Sequence, residues 1–417
     1  MNLNFLKLYF QKKLILIFLM GISSGIPLYL ILSTLLIWLT REKIDISTVG
    51  LFALTQLPWT LKFLWAPFVD NFRIPYFYKA LGHRKSWLFC TQICLIISII
   101  LLGFSNPREN LYLTAFFALM VATFSANQDI IIDAFRIEIL DDSSQGAGAA
   151  MTQFGYRIGG IMAGAGALYL REIYSWPEIF LSVAILIFLL MIVTIFLIPM
   201  ESSKKYKNEK NLIKPFLEFI NRNTYFKILT IIFFIFFFKF GDVVAGVMAN
   251  PFYVKLGFSN IEIANASKVF GVVMTIFGVF AGGILVNKFG ILNSLIFSGF
   301  LQILSNLLYV LLAKSGPMYD LLILTVAGEN FSGGMGSAAF VAYLSVLCNK
   351  SYSGTQYALL SSIMGLTRTV LSSPAGFVVE WVGWAYFFFI STFLGIPGLI
   401  ILFWMKNNFT IEMQKAS

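Results

Sequence analysis

The sequence is poor in charge, in cysteine and above all in histidine. Only 12% of its 417 residues are charged, about half the share of an ordinary soluble domain, while 58% are hydrophobic. A water-soluble enzyme of this length is excluded. The three cysteines, Cys90, Cys94 and Cys348, lie in apolar stretches without a neighbouring histidine or third thiol, so neither a disulfide framework nor a zinc site is expected. The single histidine, His83, sits in a basic loop, which leaves nothing from which to build a His-based triad or metal centre. The sequence predicts no metal, no cofactor and no catalytic residues.

Apolar runs are what it has in quantity. A helix that crosses a bilayer needs about 20 mainly apolar residues. Twelve such runs fall at about 14–38, 48–70, 87–104, 111–135, 146–170, 178–199, 224–249, 261–287, 291–313, 319–347, 355–379 and 384–405. The first follows Lys7, Lys12 and Lys13, but it is too long for a signal-peptide core and no small-residue cleavage site closes it, so it reads as a retained span. The longest polar stretch, Glu201 to Asn223, divides the chain. The expected fold is an all-α polytopic membrane protein of two six-helix bundles. Residues 1–200 form the N-terminal bundle, 201–223 a cytoplasmic linker, and 224–417 the C-terminal bundle with a short tail. Paired repeats of six spans are the layout of a major facilitator transporter.

The formal charge of +10 would suit a nucleic-acid partner, but its distribution assigns it to topology. Eighteen Lys and Arg fall in the segments expected on one side and six in those on the other. Basic loops stay cytoplasmic, which places both termini there. No nucleic-acid partner is expected.

Charge inside the runs is costly, at about 2.5–3.5 kcal/mol per central ionised residue, and must face a partner or a wet cavity. Asp129, Asp133 and Arg136 follow an i, i+4, i+7 stripe beside Gln128, one face of the fourth span. Asp133 and Arg136 read as an ion pair near the cytoplasmic interface. Asp129, a turn deeper, reads either as a proton carrier or as a partner of Arg157 in span five. Lys239 and Asp242 are i, i+3 beside Gly241 in span seven; they either neutralise each other or supply a cation for an anionic substrate and a titratable acid. Arg157 and Arg368 lie near the middle of spans five and eleven. Neither can shed its proton, so each needs a carboxylate or a ligand anion. Glu329 and Asn330 precede a glycine cluster in span ten and line the same expected cavity. Pro27 follows Ser23-Ser24-Gly25 and weakens the first span locally. Lys62 is a further basic residue within a span, and Asp70 and Arg84 flank the loop after span two. Lys62, Asp70, Arg84, Arg136 and Pro27 are assigned to gating or structure. The phenylalanines of 233–238 read as lipid surface, and Trp38, Trp59 and Trp65 as interfacial anchors.

Several ordered strings carry a resemblance. They are Ser23-Ser24-Gly25-Ile26-Pro27-Leu28, Leu57 to Pro67, Gln128-Asp129-Ile130, Asp133-Ala134-Phe135-Arg136 and Gly146 to Ala150. In the second half come Phe240-Gly241-Asp242, Glu329 to Gly336, Leu347 to Ser351 and Thr355 to Ser362. Together, over about residues 14–405, the chain resembles the AmpG-type muropeptide permeases of the major facilitator superfamily. The resemblance implies a multi-pass protein of the bacterial inner membrane. It also implies proton-driven import of anhydro-muropeptides, anionic sugar-peptide fragments of the cell wall, in peptidoglycan recycling. On that reading Asp129, Asp242 and Asp133 are the proton-coupling candidates. Arg157, Lys239, Arg368, Glu329, Asn330 and Gln128 form the substrate site, and the chain works as a monomer in the lipid bilayer. The alternatives are the same fold carrying another anionic metabolite such as an acyl-CoA or a peptide, a membrane enzyme acting on lipid-linked sugars, and a sensor that binds without flux.

Overall fold

The structure, a computed structural model, describes residues 9–44, 52–199, 212–372 and 374–408, and among them every regular element is helical. In chain order the principal helices are α1 (Lys12–Leu39), α2 (Ala66–Asn71), α3 (His83–Phe104), α4 (Leu111–Ile139), α5 (Gln145–Ile161), α6 (Trp176–Leu197) and α7 (Lys214–Arg222). They continue with α8 (Tyr225–Leu256), α9 (Ile261–Phe289), α10 (Ile291–Ser315), α11 (Tyr319–Leu347), α12 (Ser353–Ser372) and α13 (Trp384–Asn408).

Eight of these, α1, α3, α4, α6, α8, α9, α10 and α13, are long and apolar enough to cross a membrane. The count of twelve is not confirmed on that measure. Three of the other expected runs are helical as α5, α11 and α12; the start of run 48–70 lies outside the described residues, and from 52 on it gives short pieces, among them Leu57–Leu61 and α2. The physical reason is composition: α5 is rich in glycine, and α11 carries Glu329, Asn330 and three glycines at its middle. Helices that line polar cavities give up the hydropathy that marks a lipid-facing span.

The chain forms two compact units. The first contains α1 to α4, α5 from Met151, α6, α7 as far as Phe219, and Cys348–Ser362 at the start of α12. The second contains Asp141–Ala150, the end of α7, α8 to α11, the rest of α12 from Ile363, and α13.

In the first unit, Ile26, Leu30, Leu95, Ile99, Phe180 and Ile187 form a buried core. Trp38 belongs to it: it is buried and stacks on Trp176 at 5.6 Å, so it packs the core and is not an interfacial anchor. Helix α6 starts on a capping box in which the Glu178 carboxylate accepts from the Ser175 backbone N–H at 2.7 Å, satisfying a donor the helix start would orphan. Where α1 crosses α5, side chains are excluded. A Cβ on Gly21 would stand 2.6 Å from the Thr152 carbonyl oxygen, and Gly25 and Gly159 meet the backbone of Tyr156 and Ile22 as closely. Close packing therefore explains these glycines.

Both helices depart from α geometry at matching places. Leu30–Leu35 of α1, three residues past Pro27, and Met162–Gly166 beyond α5 are π-helical. Thr34 Oγ1 donates to the Ala163 carbonyl at 2.6 Å, so the two widened turns touch.

In the second unit, Phe234 and Phe238 are fully or nearly buried whereas Phe233 is 52% exposed. Only part of the phenylalanine run therefore faces outward, because positions four apart share a helix face. Tyr253, Tyr309 and Phe388 stack within a buried core of the same unit. The α9–α11 crossing repeats the glycine device, with Gly278, Gly282 and Gly334 against the Phe331, Met335 and Thr275 backbone. Gly82 and Gly290 precede α3 and α10 with φ of +83° and +79°, a conformation that a Cβ penalises.

Candidate functional site

The polar residues of the first unit gather on α4 and the helices that face it. Gln92 Nε2 donates to Ser23 Oγ at 3.0 Å, and Gln128 Nε2 donates to the Ser23 carbonyl at 2.9 Å. Ser24 Oγ donates to Asp129 Oδ1 at 2.6 Å. The Ser23-Ser24 pair of α1 is thus held against the Gln128-Asp129 pair of α4. A turn further along, Asp133 lies 3.8 Å from Lys62 Nζ and 3.4 Å from Arg136 Nη2. Arg136 is fully buried, and its guanidinium stands 5.2 Å from the Tyr357 ring centre, a contact that suits a delocalised cation.

Arg157 is different. Its Nη1 donates to the Tyr29 hydroxyl at 3.0 Å, and among the described residues no carboxylate pairs with it. Asp129, the protein partner weighed for it, is held by Ser24 instead. A permanent cation with only a neutral partner is suited to a ligand anion.

At the far end of α4 a second cluster is buried and fully ionic. Arg84 Nη1 lies 2.7 Å from Asp70 Oδ1, and Nη2 lies 2.6 Å from Glu138 Oε1. Asp70 Oδ2 accepts from both the backbone N–H and the hydroxyl of Thr355, at 2.6 and 2.7 Å. Ser353 Oγ donates to Glu138 at 2.6 Å. The Asp70 carboxylate therefore sits on the first turn of α12, where backbone N–H groups and the helix dipole favour an anion.

In the second unit, α8 is interrupted at Lys239, where φ is −106° and ψ is 8° between the segments Tyr225–Phe238 and Phe240–Leu256. Asp242 therefore lies in the first turn of a new helix. Lys239 Nζ donates to Ser337 Oγ and to the Gly333 carbonyl, and Asp242 Oδ2 lies 4.0 Å from where a Gly333 Cβ would stand. Glu329 accepts from the Tyr309 hydroxyl, which in turn accepts from Tyr253 at 3.1 Å. Asn330 accepts from Thr275 Oγ1 at 2.9 Å. The Arg368 side chain lies outside the described residues.

Of the sequence candidates, Gln128, Asp129, Asp133, Arg136 and Lys62 come together along α4, and Lys239, Asp242, Glu329 and Asn330 along α8 and α11. Asp70 and Arg84 form a separate cluster. Sequence reasoning missed Glu138, Thr355, Tyr309, Gln302 and Asn306. The last two are polar at i, i+4 within the apolar α10, which was a readable signal.

Long apolar helices with ionisable side chains gathered in the interior fit a membrane transporter. The family model described as Major Facilitator Superfamily matches residues 14–366. Among solved structures, a proton:xylose symporter of that superfamily is similar with a TM-score of 0.73 at 12% identity, covering 94% of each chain, which speaks to the fold alone. An AmpG-type transporter of Rickettsia felis is 37% identical over 97% of this chain and 99% of its own length. The anhydromuropeptide permease of Escherichia coli strain K12 is 36% identical over 100% of this chain and 84% of its own length. The chain belongs to the Major Facilitator Superfamily and, within it, to the AmpG-type permeases. It is accordingly a multi-pass protein of the bacterial inner membrane that carries a small molecule.

Proposed function

We propose that the chain imports anhydro-muropeptides by proton-coupled alternating access. In this reading it is a monomer of two six-helix bundles, joined by linker 201–223, with both termini in the cytoplasm. The observation that carries the substrate side is Arg157: a guanidinium whose protein partner is a tyrosine hydroxyl can accept a peptide carboxylate in a bidentate contact. Lys239, Arg368, Gln128, Glu329 and Asn330 supply further polar contacts to a sugar-peptide.

Asp129 supports the coupling side, with Asp242 and Asp133 as further acids. Its hydrogen bond to Ser24 spans α1 and α4, so gain or loss of a proton there changes how two helices hold each other. Each proton that enters across about 100 mV contributes about 2.3 kcal/mol, enough for roughly fiftyfold accumulation. Asp70, Arg84 and Glu138 act as a latch on the start of α12, Lys62 and Arg136 fix Asp133, and Pro27 permits the widened turn of α1.

The test is uptake of labelled anhydro-muropeptide by cells expressing the chain, with and without an uncoupler. Accumulation that collapses on uncoupling is expected. Accumulation that persists removes the coupling, and an absence of uptake together with uptake of another anionic metabolite replaces the cargo.

A further inference from the structure

A cavity in the second unit, with room for roughly one water molecule, is lined by Asp242, Gln302 and Asn306 together with Phe238, Gly299 and Leu399. Gln302 is 3% and Asn306 2% exposed. The Gln302 side-chain nitrogen donates to the Ser332 carbonyl at 3.4 Å. Among the described residues, neither Gln302 Oε1 nor Asn306 Oδ1 accepts a hydrogen bond. No described residue donates one to Asp242 either; Lys239, which donates to Ser337 and Gly333, acts on it through charge alone.

The cavity lining therefore includes one carboxylate residue and two amide residues whose oxygens accept no hydrogen bond among the described residues, and its remaining walls are apolar or glycine. Leaving a buried acceptor without a donor is unfavourable, and more so when the acceptor is an ion. A proton on the carboxyl would satisfy one amide oxygen and leave the other. A single hard cation of charge +1 neutralises the carboxylate and satisfies all three oxygens, and oxygen-only ligands select such an ion over a soft metal. The size of the space argues for a small bare ion.

We propose that Asp242, Gln302 and Asn306 form a sodium site. Its role as a second coupling ion, though not its binding, rests on the transport reading above. Cation occupancy there ties the helix that begins at Phe240 to α10.

The test is thermal unfolding of the purified full-length protein in lipid nanodiscs, titrated with sodium chloride against choline chloride at constant ionic strength. A saturable rise in Tm with sodium alone is expected, and Gln302→Leu and Asn306→Leu should each weaken the apparent affinity at least about tenfold. Superposable sodium and choline curves for the unaltered protein overturn the site, as does an unchanged sodium affinity in both variants. Scintillation binding of radioactive sodium to the unaltered protein decides the same question without relying on a variant that folds. Sodium binding without any muropeptide uptake would support the site while removing the transport reading. Proton-driven uptake in sodium-free buffer with no sodium binding would do the reverse.

Discussion

Asp70 holds Thr355 twice, taking the backbone N–H and the hydroxyl on one carboxylate oxygen while the other faces Arg84. Asp70 is 5% and Arg84 1% exposed. Removing one member of a buried ionic cluster strands the others, at a cost of about 3–5 kcal/mol. Asp70→Ala is therefore expected to lower Tm and uptake together. Arg84→Lys should not rescue the cluster, because a point ammonium cannot span Asp70 and Glu138 as the guanidinium does. Tryptophan fluorescence on heating and uptake in parallel check both.

Asp129→Asn keeps the shape of the Ser24 contact and removes its charge. Energised accumulation should be lost, while exchange of labelled for unlabelled substrate across vesicles, which needs no proton, should persist. Equal loss of both activities would show that Asp129 binds substrate or holds the fold.

Arg157→Gln should raise the KM for uptake by at least about tenfold, the loss of one charge-assisted contact of about 1.5–3 kcal/mol. Tyr29→Phe removes only a neutral partner of the guanidinium, so its effect should be smaller. A substrate analogue without its peptide carboxylates should be insensitive to the arginine change.

Gly25→Ala places a methyl group against the Tyr156 backbone, which cannot rotate away as a side chain can. Overpacking of this kind costs about 1–3 kcal/mol, and a lower Tm with unchanged KM in the surviving fraction is the expected signature.

Much of this was legible in the sequence. The i, i+4, i+7 spacing of Asp129, Asp133 and Arg136 placed them on one helix face, because an uninterrupted helix has a fixed period. The cost of charge in a bilayer pointed at Arg157, Lys239 and Asp242. What was not legible depends on tertiary approach. Glu138 reads as an ordinary interfacial acid until Arg84 and Ser353 come to it across 54 and 215 positions of chain. Trp38 has the composition of an anchor, and only its stacking on Trp176 makes it core. The apolar runs that became α5, α11 and α12 were legible as well, although they fall short of the eight most apolar helices because residues that serve a cavity dilute the signal for a span.

The widened turn of α1 at Leu30–Leu35 has one more consequence. A π-helical stretch amounts to one surplus residue inside an α-helix, and each residue advances the helix by about 100° of rotation, the angle set by 3.6 residues per turn. Ser23 and Ser24 on one side of it and Trp38 on the other therefore keep a phase that an uninterrupted helix would not allow. Deleting one residue between positions 30 and 35 would remove the widened turn and swing Ser24 roughly a quarter-turn around the axis relative to Trp38, out of reach of Asp129, without altering a single side chain at the site.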